Sequence, residues 1–78
     1  MAKPVKTKLF IRFLKSRGLV LHRTEGDHEI WDMESGPKLS RPVVFISCEK
    51  EVPPMHLSTN LRTLGMTYND FVKAIAKL

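Results

Sequence analysis

The stretch "EGDHEIW", residues 25–31, sets His28 directly after a Gly-Asp pair and among three carboxylates, Glu25, Asp27 and Glu29. Histidine has an ordinary pKa of about 6.5, which keeps both protonation states populated near neutrality, so His28 can serve as general acid or general base. A carboxylate within about 6 Å favours the imidazolium, which suits an acid better than a base, and it can also orient one ring nitrogen. Gly26-Asp27 is a two-residue turn of the kind that joins antiparallel strands. With Gly26-Asp27 in the turn Glu25 faces His28, whereas with Glu25-Gly26 in the turn Arg23 does. From position alone His28 reads as an exposed residue at a strand start. His22 reads as a strand-surface residue and His56, just behind Pro53-Pro54, as a helix-start residue. Either becomes a second proton carrier only if the fold brings it near His28. No spacing rule supports a metal site from His22, His28 and Asp27, and with one cysteine, Cys48, there is no metal framework and no internal disulfide. No metal or cofactor is expected.

The elements that must carry these residues are few. Seventy-eight residues, 42% of them hydrophobic, make one domain spanning residues 1–78. So small a domain buries too little surface for a deep enclosed pocket, which places any site on an open face or rim and disfavours large cofactors. The lone Cys48 fits a reducing cytoplasm. No apolar run approaches the ~18 residues of a membrane span, and no signal peptide is expected. The net charge of +5 is divided unevenly. Lys3, Lys6, Lys8, Arg12, Lys15, Arg17 and Arg23 precede any acid; Glu25, Asp27, Glu29, Asp32 and Glu34 then follow without a base. A basic block beside an acidic one can form a phosphate-binding face next to a repulsive strip, or an ordinary charged surface.

Leu9, Phe10, Phe13 and Leu14 recur at helical spacing, predicting an amphipathic helix over Thr7–Arg17, capped by Thr7 and stopped by Gly18. "LVLHRT" alternates as a strand with Leu19, Leu21 and Arg23 on one side, and "HEIWDM" is its hairpin partner. Either His28, Ile30 and Asp32 or Glu29, Trp31 and Met33 face the core. "VVFIS" is a third, buried strand beyond a polar loop. Pro53 and Pro54 break the chain before a helix bearing Leu57, Leu61 and Leu64 and ending at Gly65. Thr67 and Asp70 form a capping box for a last helix, with Met66 and Phe71 as its hydrophobic staple and Phe71, Ile75 and Leu78 as its apolar face. The expected fold is α+β: a two-layer α-β-β-β-α(-α) sandwich whose three-stranded antiparallel sheet is covered by helices on one face.

"FIRFLKSRGLVLHRTEGDHEIW" is similar to the opening of the HicA toxins, small bacterial mRNA interferases. Gly18, the apolar Leu19–Leu21, Arg23, Gly26-Asp27-His28 and Trp31 match its helix-ending Gly, strand, Arg, Gly-Ser-His triplet and following aromatic residue. "PPMHLSTNLRTLGMTYNDF" resembles the family's later segment, short helix and Ser/Thr-capped last helix. Asp27 stands where the family usually has Ser, and Glu29 adds a carboxylate. The resemblance implies a double-stranded-RNA-binding-domain-like fold, His28 as the catalytic residue, mRNA as substrate and a HicB-type antitoxin as the partner that masks the histidine.

Metal-independent RNA cleavage needs a base for the 2′-hydroxyl proton, an acid for the leaving oxygen and a cation for the phosphate. His28 is the candidate for a proton role, with Glu25 or Asp27 in support and Arg23 as a phosphate clamp. Lys6, Lys8, Arg12 and Lys15 are a solvated helix face or weak RNA contacts; in the second case affinity falls steeply with salt. Trp31 is core, or, if exposed, a base-stacking platform worth about 1–3 kcal/mol. The competing reading is a non-catalytic module of the same fold that binds RNA or a protein partner through its acidic strand.

Overall fold

Leu19–Glu25, His28–Met33 and Val43–Ile46 (β2, β3 and β4) form a three-stranded antiparallel meander in that spatial order in the computed structural model, which describes residues 3–46 and 48–78. Ser47, expected at the end of the third strand, lies outside the described residues. Helices α1 (Thr7–Ser16), α2 (Pro54–Thr63) and α3 (Tyr68–Ile75) complete the α+β domain, and a two-stranded ribbon pairs β1 (Val5–Lys6) with β5 (Glu51–Val52). Among the described residues no helix is long and apolar enough to cross a membrane.

Helix α1 buries Phe10, Phe13 and Leu14 on the expected stripe, with Lys8, Arg12 and Lys15 exposed on the opposite side. Gly18 stops it at φ +85° and passes its carbonyl to the Glu34 N–H, so the helix stop is also the first rung of the sheet. The start differs from expectation. The N-cap is Lys6, and Thr7 is the first helical residue, 5% exposed, with its hydroxyl donating to the Glu49 carbonyl at 2.7 Å and its N–H to Lys50. Thr7 therefore tethers the helix to the segment before β5 instead of capping its own turn. The β1–β5 ribbon beside it sets Lys6 across from Glu51.

All four phenylalanines meet in one core. Phe10 meets Phe45 edge-on at 5.2 Å and Phe13 meets Phe71 edge-on at 4.8 Å, arrangements worth about 0.5–1.5 kcal/mol each beyond the area they bury. Trp31, Leu19, Val43 and Phe45 supply the sheet's side of this core, and Leu57, Leu61 and Phe71 join from α2 and α3. Trp31 and its alternates Glu29 and Met33 thus share the sheet face that the core covers, which turns His28, Ile30 and Asp32 to the other. Ile30 is also buried, flanked in the sheet by Arg23 and Val44.

At the last helix Thr67 accepts from the Asp70 N–H while the Asp70 carboxylate accepts from the Thr67 N–H, the expected capping box. The same bonds hold the Asp70 carboxyl below its ordinary range, the Thr67 N–H contributing most. Leu78, expected to extend the apolar face, is 41% exposed.

Candidate functional site

Gly26 takes φ +62°, the left-handed conformation that this hairpin turn requires, and the turn closes with Glu25 paired to His28. The register with Glu25-Gly26 in the turn is not the one formed. His28 opens β3, and its side chain is 50% exposed. The three carboxylates around it have three different partners. Asp27 lies at His28, its Oδ1 3.5 Å from Nδ1. Glu25 is 3.4 Å from the Arg23 Nε. Glu29 points to the core face, where it accepts from the Trp31 Nε1–H at 3.0 Å and so pairs a buried indole donor. Asp27 is also approached by the Cys48 thiol, Sγ to Oδ2 at 3.8 Å.

Arg23 stands opposite Ile30, one alternate position along the same sheet face from His28. It arrives there through a bulge: Leu21 pairs with Trp31 and Arg23 with Ile30, leaving His22 as the extra residue. The simple alternation expected for this strand is therefore reset at His22, which puts Arg23 on the face opposite Leu21. His22 lies within electrostatic reach of Asp32 instead of joining His28. Asp32 accepts from the Leu39 and Met33 N–H groups, which fold the 33–39 loop back on the sheet and hold its carboxyl below the ordinary range, Leu39 contributing most.

His56 does reach the His28 site. It lies in α2, four residues before Asn60, and Asn60 is docked on the free edge of β4: its Nδ2 donates to the Val44 carbonyl at 3.0 Å and its Oδ1 accepts from the Val44 N–H at 3.4 Å. This amide substitutes for a fourth strand, satisfying backbone groups that no neighbouring strand reaches. Two residues further along β4, Ile46 pairs with His28, and one helical turn from Asn60 stands His56. The result is a cleft of about 240 Å³ lined by His28, His56, Thr59, Asn60, Val44 and Ile46. It is an open site, as expected for a domain of this size.

The other candidates lie elsewhere. Lys6, Lys8 and Arg12 are exposed, but none lines the His28 cleft. Lys15 borders a separate groove of about 490 Å³ between α1 and β2, where Trp31 forms part of the floor beside Leu19 and Leu21. Trp31 is only 4% exposed, with its N–H bonded to Glu29, so it is a core residue and not a stacking platform. Among the described residues no three His, Cys, Asp or Glu side chains gather as metal ligands.

Thr59 and Asn60 are the cleft residues that pattern reading missed. The available signal was an amide lying among the leucines of the "LSTNL" face, a polar group that must find a buried partner. Comparison of the chain with protein-family models, curated proteins and solved structures finds no match.

Proposed function

We propose that this protein is a HicA-type toxin: a metal-independent endoribonuclease acting on mRNA in the cytoplasm through His28 and neutralised by a HicB-type antitoxin. The observation that carries the reading is His28 itself, a half-exposed imidazole at a hairpin start with a carboxylate at Nδ1 and an open cleft beside it. Arg23, on the same sheet face, supplies a cation for the phosphate, and the Asp27 carboxylate stands 3.5 Å from the ring nitrogen. Because Arg23 and Glu25 are both exposed, their ion pair is weak, and an incoming phosphate displaces Glu25 at small cost. His28→Ala is expected to abolish RNA cleavage and growth arrest on expression while leaving the circular dichroism spectrum unchanged. A fully toxic His28→Ala variant removes this histidine from the mechanism.

A second reading, a binding module of the same fold, is favoured by the groove at the β2 edge, where Val20 and Leu21 stand 37% and 46% exposed. Expression of the wild-type chain separates the two, since a module of that kind leaves growth unchanged.

A further inference from the structure

We propose that His56 is the second proton carrier of the His28 cleft, so that strand cleavage there is a transphosphorylation ending in a 2′,3′-cyclic phosphate. The inference rests on the nuclease reading above and adds to it a residue and a product. A single imidazole cannot be base and acid in one concerted step: taking the 2′-hydroxyl proton and protonating the leaving oxygen need one group in each protonation state. The cleft holds two imidazoles, one from the sheet and one from the helix packed on its edge.

Their meeting is built into the fold. His28 pairs with Ile46 across β3 and β4, and Val44, two residues away on the same strand face, is clasped by Asn60. His56 precedes Asn60 by one turn, so the amide that fixes the helix on the strand also sets the second histidine on the cleft that the first one lines. Both residues are exposed, as groups that touch a polymeric substrate must be. Among the described residues, the ionisable groups around His28 include Asp27 on its own hairpin, Glu25 and Arg23 from β2, and Cys48 beyond Asp27. Of the described residues, β4 contributes Val44, Phe45 and Ile46, and α2 the neutral Thr59 and Asn60 beside His56. His28 and His56 are the imidazoles among the described residues lining this cleft.

The step balances within the pair. One neutral imidazole takes the proton from the ribose 2′-hydroxyl as O2′ bonds to phosphorus. The P–O5′ bond breaks, its electron pair leaves with O5′, and the other ring, as imidazolium, protonates that oxygen. One histidine ends protonated and the other neutral, and no water or metal enters the step. The products are a 2′,3′-cyclic phosphate and a 5′-hydroxyl.

The test uses the full-length protein, its His28→Ala, His56→Ala and His56→Gln variants, and a short single-stranded RNA, together with the same RNA carrying 2′-O-methyl groups. Loss of a general acid or base slows such reactions by about 10²–10⁴-fold. Expected are losses of that size in kcat for each histidine variant, a bell-shaped pH profile for the wild type that loses one limb on substitution of His56, cyclic-phosphate ends by mass spectrometry, and no cleavage of the methylated RNA. If His28→Ala is inactive but both His56 variants cleave within about threefold of wild type with both limbs intact, the role of His56 is refuted and the nuclease reading stands. Products ending in a 3′-hydroxyl also refute it. A wild type that cleaves no RNA, or a fully active His28→Ala variant, overturns the nuclease reading and this inference with it.

Discussion

Replacing Asn60 by leucine tests the claim that one amide closes the sheet edge. Leucine keeps the branching and heavy-atom count of asparagine, is bulkier, and suits the neighbouring Leu57 and Leu61, so the change removes two hydrogen bonds while keeping a side chain of the same outline. It leaves the Val44 N–H and C=O without protein partners. A buried backbone group orphaned in this way costs about 1–3 kcal/mol. Both bonds are only part-buried and the one to the Val44 N–H is long at 3.4 Å, which places the pair toward the lower end, about 2–3 kcal/mol together. Against the roughly 4–12 kcal/mol expected for a chain of this length, that is a large fraction. It corresponds to a fall in Tm of about 10–20 °C. Urea denaturation followed by circular dichroism measures it, with the slope of the transition checked for two-state behaviour. A loss below about 0.5 kcal/mol would mean that water serves Val44 as well as Asn60 does, and the edge-closing argument would fall. Asn60→Asp sharpens the test. Its carboxylate has no donor for the Val44 carbonyl, so its pKa rises in the folded state, and its deficit relative to wild type should shrink as mild acid protonates it.

Phe13 is fully buried against Phe71 and Phe10, and Phe13→Ala should cost about 3–5 kcal/mol, enough to lower Tm by more than 10 °C in a thermal melt; a drop under 5 °C would show that the core closes over the gap. Asp32 and Asp70 have folded-state carboxyl pKa values below 3.8, so their stabilising bonds are fully present above the unfolded value and are lost as pH falls through the folded one. Stability should therefore decline below about pH 4, and Asp32→Asn should flatten that decline; an unchanged slope in acid denaturation removes Asp32 from the account.

The elements that local chemistry decides were legible in the sequence. Gly26-Asp27 specifies a turn, and β3 runs over the expected His28–Met33. Gly18 stops α1, and Thr67 with Asp70 starts α3. What escaped depends on contacts between distant segments. Thr7 looks like a cap, but it is the first helical residue and its hydroxyl donates to the Glu49 carbonyl, 42 residues on. Two-residue strands at Val5 and Glu51 carry no period, and prolines flank both. The bulge at His22 is a property of two strands in register, not of either alone. The double burial of Ile30 and Trp31 left the face of β3 ambiguous until the helices were placed. His28 was legible as a candidate because its turn is local, whereas the approach of His56 needs α2 to be docked, and its docking residue is a single amide in a leucine stripe.

The alternation of β3 has a consequence for how such a chain can change over generations. Glu29, Trp31 and Met33 belong to the face that the core covers, while His28 and Asp32 lie with the buried Ile30 on the opposite face. A strand of six residues thus carries two interleaved records, one set by the core and the other by a face on which Ile30 is buried and His28 exposed. Exposed positions on the second record can be exchanged one by one without disturbing the phenylalanine core. Asn60 ties this architecture to the neighbouring cleft, since it both seals the sheet edge and fixes the helix that bears His56, and drift at that position alters the edge and the placement of His56 together.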